Sequence, residues 1–569
     1  MEKKNIFKAT WDLFKGYWSS EEKWKARGLL FVVIALNFAA VYLLVEINSW
    51  YNEFYNALQN YEQNLFWPLV GKFTFLAFLY IVIAVYAIYL RQMLQLKWRI
   101  WMTNNYLSHW LNKEVYYRLQ VLKSDTDNPD QRISEDINQF VNLILMLSVG
   151  FLKELTTLAA FGVVLWNLSG VFTVPIGNYE FQVYGYMFWI SLAYSIVGTF
   201  LVHLVGRKLI VLNFDQQRYE ADFRFSMMRV RENSESIAFY KGENSELGVF
   251  KDRFSYVVSN FWGLMKKTKL LNFYVNGYAQ LAVIVPLILA SPQYFSGAMA
   301  LGGLMQTISA FGRVQDALSY FVTAYDTIAQ LVAVVHRLSG FKEHIDEVSS
   351  VEKNIEVKEH SCGDLVIKNL TIKLPDDKIL LNNCNLNFKE GESILVMGKS
   401  GAGKSTFLRM LAGIWPYGDG EVIRPKDENM MFLPQKPYLP LGTLKAAICY
   451  PSQAESVSNF DELLEKVGLN KLKDSLEKID DWSRILSLGE QQRLAILRAI
   501  IKKPKWLFLD EATSAMDEPL EKEMYELLKT ELQSTGIVSV GHRSTLKAEH
   551  NIELRLIGDG SYEQSEIKH

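Results

Sequence analysis

The sequence predicts a membrane domain of six transmembrane α-helices followed by a cytosolic α/β domain of the phosphate-loop type. Two observations carry this reading. Long apolar runs are confined to roughly the first 340 residues. Further on, an apolar strand, Ser393-Ile394-Leu395-Val396-Met397, runs into a glycine-rich octapeptide and then a helical pattern. A third observation, the placement of Lys and Arg, sets the orientation.

A bilayer core needs roughly 20 apolar residues per spanning helix. Candidate spans cover residues 28–48, 70–90, 146–168, 185–205, 270–290 and 298–325. The sixth carries Gln306, Arg313, Gln315 and Asp316, so it must face protein or a water-filled cavity. Six spans leave both termini on one side. The segment 1–27 holds Lys3, Lys4, Lys8, Lys15, Lys23, Lys25 and Arg27, and segments 91–140 and 206–268 are also basic. Loops 49–69, 169–184 and 291–297 contain neither Lys nor Arg. By the positive-inside rule both termini are cytoplasmic. Lys72, near the outer end of the second span, is the exception and would snorkel outward. Residues 98–123 and 207–268 read as helices projecting past the membrane. Trp11–Trp24 reads either as an amphipathic segment in the interface or as a set of membrane-edge anchors. Glu46, Glu154 and His203 are candidate cavity residues or helix–helix glue, with Lys153 a local partner for Glu154.

At 569 residues the chain holds more than one domain. A net charge of −2 gives no sign of nucleic-acid binding. Mean hydropathy, +0.03, is high for a soluble protein. The cysteines, Cys362, Cys384 and Cys449, match no metal spacing and read as buried thiols in a reducing cytosol. The first apolar run is too long and too late for a cleavable signal peptide. The expected organisation is an interfacial segment 1–27, a membrane domain 28–340 closed by Gly340, a charged linker 341–360 and a nucleotide-binding domain 361–569.

The octapeptide is Gly398-Lys399-Ser400-Gly401-Ala402-Gly403-Lys404-Ser405, followed by Thr406 at the start of a helix. It fits G-x-x-x-x-G-K-[ST] in the strand–loop–helix context that motif requires. The glycines let backbone N–H groups close around phosphates, and the helix N-terminus adds its dipole. Lys404 would neutralise the β- and γ-phosphates of a nucleotide, and Ser405 would hold Mg²⁺.

Further pieces follow in order. Gln435 comes after the strand Met430–Leu433. Ser487-Leu488-Gly489-Glu490-Gln491-Gln492-Arg493 opens a helix. Trp506-Leu507-Phe508-Leu509 ends in Asp510 and Glu511, with Ser514-Ala515-Met516-Asp517 close behind. His542 follows the strand Ile537–Val540. Each piece alone is weak, but the ordered set resembles the nucleotide-binding domain of ABC transporters. That resemblance implies ATP as substrate and Mg²⁺ as cofactor. Asp510, with Ser405 and Gln435, would anchor the metal; Glu511 would be general base; His542 would contact the γ-phosphate. Gln435 would report nucleotide state to the membrane half. Ser487, Gly489 and Glu490, in the Ser487–Arg493 segment, would complete the nucleotide site of an opposite subunit, so hydrolysis depends on dimer closure, and Asp517 would be a further nucleotide-binding residue. One nucleotide domain and six spans per chain then imply a dimer, most simply a homodimer. Two departures stand out: position 488 is Leu where the common signature has Gly, and 371–379 has no aromatic to stack adenine, leaving Leu374 and Pro375.

The resemblance extends along the chain. Trp50–Gln59, Tyr17–Glu21, Asn128-Pro129-Asp130-Gln131-Arg132-Ile133 after Asp127, and Gly413-Ile414-Trp415-Pro416 are similar to YddA-type half-transporters. That branch is related to SbmA/BacA-type peptide transporters and to subfamily D. It implies the exporter-type ABC fold in a bacterial inner membrane, with 128–136 and 233–246 as coupling elements. It covers importers as well as exporters, and three functions stay open. The first is transport of a bulky, partly polar solute such as cobalamin or a peptide. The second is export or flipping of acyl-CoA or lipid. The third is a nucleotide-gated channel or regulatory ATPase.

Overall fold

The computed structural model describes residues 6–122, 128–176, 179–350, 355–360, 363–452, 457 and 459–568; side chains at 172–176, 179–181, 203, 205–206, 210, 321–323 and 325–326 are outside the description. Cys362, Asp127 and the His203 side chain therefore lie outside the described residues. The chain divides into two units. One combines Met1–Trp110 with Thr126–His344, the other Leu111–Asp125 with Ile345–His569.

The first unit is helical. Its main elements are α1 (Ile6–Trp18), α2 (Lys23–Gln59), α3 (Gln63–Leu111), α4 (Ile137–Ser169), α5 (Tyr186–Glu232), α6 (Glu243–Phe295) and α7 (Leu301–Ser350). A two-stranded hairpin, β1 (Val171–Ile176) and β2 (Tyr179–Tyr184), joins α4 to α5. Among the described residues, five helices are long and apolar enough to cross a membrane. The sixth long helix, α7, is the one with Gln306, Arg313, Gln315 and Asp316. Gln306 and Gln315 are buried, whereas Arg313 and Asp316 are exposed.

The α1 segment is fixed from one side by aromatic packing. Tyr17 stacks on Trp98 of α3 at 5.5 Å, and Trp98 meets Phe140 of α4 edge-on at 5.9 Å. Phe7, Trp11 and Trp24 remain exposed on the other side. The helix α1 is thus packed along one side, with Leu13, Tyr17 and Trp18 buried. The Lys72 ammonium pairs with Glu53 at 2.6 Å. Lys153 and Glu154, although adjacent on a helix, come within 3.7 Å. Glu46 is half-buried.

The C-terminal end of α2 and the N-terminal end of α7 are joined by amides. Asn48 Nδ2 donates to Gln306 O at 3.0 Å, and Asn52 Nδ2 to Gln306 Oε1 at 2.8 Å. Asn56 Oδ1 accepts from Gly302 N at 2.8 Å, and Gln59 Oε1 from Leu301 N at 2.7 Å. The first N–H groups of a helix have no partner within it, and here side chains of α2 supply them. Gly302 is required for this approach, because a Cβ there would lie 2.0 Å from Asn52 O. Gly302→Ala should therefore push the helices apart and cost about 1–3 kcal/mol. Thermal unfolding in detergent should show a lowered Tm; an unchanged Tm would mean the close approach does not exist.

Ahead of α4, Asn128 takes the N-cap position of the short helix Pro129–Gln131, but its side chain makes no capping bond. Residues 132–136 form a π-turn in which Asp136 is buried. Arg337 Nη2 reaches Asp136 Oδ1 at 2.6 Å and Arg337 Nε reaches Oδ2 at 2.9 Å, while Arg132 bonds Oδ2 from the other side. Within 233–246 lies the short helix Ser234–Tyr240, whose Phe239 and Tyr240 are exposed.

Two boundaries differ from expectation. Gly340 does not close the last helix, for α7 continues to Ser350. A glycine inside a helix costs only about 1 kcal/mol. Phe341, Ile345 and Val348, spaced on one helical face, are all buried and outweigh that cost. Most of the expected linker is therefore regular structure, ending in a strand, β3 (Ile355–Glu359). Residues 111–125, expected in the membrane domain, group with the second unit. The helix Val115–Leu122 buries Val115 and Leu119 there, and Val121 packs on that unit's core.

The second unit is built on two sheets. A four-stranded sheet has the order β3, β7 (Gly418–Arg424), β4 (Leu365–Lys373), β5 (Ile379–Phe388). A six-stranded sheet has the order β12 (Tyr562–Glu566), β11 (Ile552–Leu556), β6 (Ser393–Gly398), β10 (Gly536–Val540), β9 (Trp506–Asp510), β8 (Met430–Leu433). All its pairings are parallel except β11 with β12. Both faces are covered, as parallel sheets require. On β9, Trp506 and Phe508 enter one core cluster and Leu507 and Leu509 the other. Cys384 and Cys449 are buried.

Candidate nucleotide site

Parallel strands in register end together, and ligands bind beyond their carboxyl ends. Asp510 pairs with Val540, Val540 with Val396, and Leu509 with Leu433. The loops after β6, β8, β9 and β10 therefore emerge side by side, and they carry the octapeptide, Gln435, Glu511 and His542.

Gly398 closes β6 with φ +152°, and a Cβ there would sit 2.4 Å from Leu556 O. Gly403, φ +93°, is the N-cap of α8 (Lys404–Leu411). These are conformations that favour glycine. Lys399, Ser400 and Gly401 are exposed at the loop tip; Ala402 and Thr406 are buried beneath it. The Lys404 ammonium donates to Gly398 O at 3.0 Å and to Lys399 O at 3.1 Å. Burial pulls its pKa below the usual lysine value, opposed by Glu511 and Asp510. A partly desolvated cation curled over a loop of N–H groups is suited to an incoming polyanion.

Ser405 Oγ donates to Asp510 Oδ1 at 2.9 Å. Burial raises the Asp510 pKa, partly offset by that bond. Among the described residues no three His, Cys, Asp or Glu side chains group as a metal site. A hydroxyl and one carboxylate nonetheless fit Mg²⁺, which prefers oxygen donors, keeps waters and shares substrate phosphates.

Glu511 has left-handed backbone, φ +51°. Its Oε2 accepts from Gln435 Nε2 at 3.1 Å, and its Oε1 lies 3.1 Å from His542 Nε2. Gln435, Glu511 and His542, remote in sequence, are thus in direct contact. The second group of expected residues is bonded differently. Ser487 caps α9 (Leu488–Lys502) in a capping box with Glu490. Ser487 N donates to Glu490 Oε2 at 2.9 Å, and Glu490 also pairs with Lys471. Asp517 caps α10 (Glu518–Glu531), accepting from Leu520 N at 3.1 Å. A Cβ on Gly489 would lie 3.0 Å from Ala515 O, so glycine permits that approach. Leu488, by contrast, is exposed, so the larger side chain meets no obstruction. Leu374 is half-buried and Pro375 exposed.

The motifs did not single out two further groups. Gln492 is fully buried. Its Nε2 donates to Gln435 O at 2.9 Å, and to Glu511 O and Ser514 Oγ at 3.4 Å; its Oε1 accepts from Ala515 N at 3.0 Å. Arg543 Nη1 donates to Met516 O at 2.9 Å and to buried Glu521 at 3.2 Å, clasping the 514–517 turn. Sequence offered only a faint signal for Gln492, a polar residue on the otherwise apolar face of α9.

The family model described as ABC transporter transmembrane region 2 matches residues 13–295, and the one described as ABC transporter matches 381–514. A Haemophilus influenzae protein described as an uncharacterized ABC transporter ATP-binding protein is 38% identical over 558 residues, covering 98% of this chain and 93% of its own. The chain belongs to the ABC transporters. The Escherichia coli inner membrane ABC transporter ATP-binding protein YddA is 35% identical over 538 residues, covering 93% and 94%. The human lysosomal cobalamin transporter ABCD4 is 28% identical over 599 residues, covering 97% and 94%. In fold, this ABC transporter matches a bacterial Atm1-family ABC exporter with ATP bound, with TM-score 0.74 at 16% identity over 96% of each chain. It is an integral membrane protein of exporter fold, and its C-terminal domain binds ATP and hydrolyses it to drive transport.

Proposed function

We propose that this ABC transporter acts as a homodimer that hydrolyses ATP to move a bulky, partly polar solute, cobalamin- or peptide-like, across a bacterial inner membrane. The observation that carries the chemistry is the placement of Glu511 between Gln435 and His542, beside the Ser405–Asp510 pair. Gly398–Thr406 wrap the phosphates. Lys404 exchanges its two loop carbonyls for β- and γ-phosphate oxygens. Ser405, Asp510 and Gln435 would hold Mg²⁺, which supplies neutralisation of phosphate charge. Glu511 orients the attacking water and draws off its proton. His542, whose Nε2 lies 3.1 Å from Glu511 Oε1, turns to the γ-phosphate. Positioning and charge stabilisation carry phosphoryl transfer, so His542→Ala should slow turnover by about 10²-fold. Steady-state phosphate release checks this, and a rate within twofold of wild type (about 0.4 kcal/mol) would remove His542 from the mechanism.

Ser487, Gly489, Glu490 and Asp517 serve the partner copy's nucleotide, with 128–136 and 233–246 as coupling elements. The polar solute is favoured by the carboxylates within the helices, Glu46 and Glu154, and by the likeness to a cobalamin transporter. The likeness to YddA, an inner membrane protein, supports that location. ATPase activity in lipid against cobalamin, peptides and acyl-CoA tests the solute class. Stimulation by cobalamin or peptide supports the reading. Stimulation by acyl-CoA alone replaces it with lipid export.

A further inference from the structure

We propose that Gln492 is a positioning residue for ATP hydrolysis, its buried amide holding the backbones of Gln435 and Glu511 so that the Glu511 carboxylate is aimed. The proposal rests on the assignment of Glu511 as the base. Glu511 keeps a left-handed backbone, φ +51°, and a non-glycine residue persists there only where its surroundings over-determine it. Three bonds restrain it. Its N–H donates to Val540 O at 3.2 Å, and its carbonyl accepts from Ser514 N at 3.0 Å and from Gln492 Nε2 at 3.4 Å.

The same Gln492 Nε2 donates to Gln435 O at 2.9 Å. The Gln435 side chain in turn donates to Glu511 Oε2 at 3.1 Å. A closed circuit results: Gln492 holds the main chain of the residue that grips the carboxylate, and the main chain of the carboxylate itself. The other end of the amide accepts from Ala515 N at 3.0 Å. Ala515 is the residue whose carbonyl packs against Gly489. One side chain therefore links the start of α9, where Ser487 and Gly489 lie, to the base. Packing alone does not call for an amide here, since Ala495 and Ile496, one turn on along the same face of α9, are buried and apolar. A buried amide without partners is costly, and this one has a partner for both its nitrogen and its oxygen.

The test is Gln492→Glu, which keeps length and acceptor but removes the donor. The kcat for ATP should fall on the order of 10–100-fold, as for a small misplacement of a reacting group. The KM for ATP and the equilibrium binding of ATP should change less than about twofold. Gln492→Met keeps the volume without either polar atom, and replaces the first variant if a buried carboxylate prevents folding. Glu511→Gln is measured beside them. A kcat unchanged in whichever variant still binds ATP, with Glu511→Gln inactive, overturns the role of Gln492 alone. A parallel loss of ATP binding makes Gln492 merely structural and also overturns it. Continued turnover in Glu511→Gln would instead remove the base on which the proposal depends.

Discussion

Glu511→Gln should bind ATP as the wild type does and hydrolyse it about 10²–10⁴ times more slowly, the range for a lost general base. The substitution keeps the side chain's length and plane. Gln435 still finds an oxygen to donate to at the former Oε2 position, 3.1 Å away. What disappears is the negative charge that draws the proton from water, a loss of about 3–5 kcal/mol in the barrier. The phosphate loop is untouched, since Lys404, Ser405 and the glycines form their own bonds. Phosphate release and nucleotide binding measured on one preparation separate the two effects. Equal loss of both would mean that Glu511 holds the fold of the site rather than performing the reaction.

Lys404→Ala should weaken ATP binding by about 10- to 150-fold, because a hydrogen bond to a charged group contributes roughly 1.5–3 kcal/mol. The ammonium is buried, its charge is disfavoured there, and its bonds run to two neutral carbonyls. Phosphate oxygens are better partners, so the charge matters most in the bound state. Lys404→Met, which keeps most of the stem, should lose nearly as much affinity. Affinity retained in Met but lost in Ala would assign the effect to packing.

The nucleotide site was largely legible because its signals are local. The octapeptide demands glycine where the chain turns back on itself, and the structure has left-handed residues there. Gln435, Asp510, Glu511 and His542 each follow a strand that reads as apolar, so a parallel sheet brings them together. Gln492 was not legible in the same way. Its partners, Gln435, Glu511 and Ala515, are remote from it and from one another in sequence, and three of its four bonds involve backbone atoms. Arg543 is hidden likewise, for its clasp depends on a turn and on Glu521.

The membrane half was legible as long apolar helices, but not at its edges. Gly340 is a stop signal by propensity, yet Phe341, Ile345 and Val348 bury one face and carry the helix on. Residues 111–125 read as part of a membrane-domain loop because their apolar partners lie far downstream in the chain. The amide ladder between α2 and α7 was invisible for a related reason. Asn48, Asn52 and Asn56 recur every four residues, but only the fold brings Gln306 and the start of α7 against them.

The central claim is that hydrolysis at Glu511 drives a partly polar solute across the membrane. The most direct measurement is the distribution of radiolabelled cobalamin and of a labelled hydrophilic peptide across proteoliposomes, with ATP, for wild type and Glu511→Gln. The wild type should give an ATP-dependent redistribution of at least one of them, and the variant none. Full ATP hydrolysis by the wild type with both solutes left where they began would contradict it.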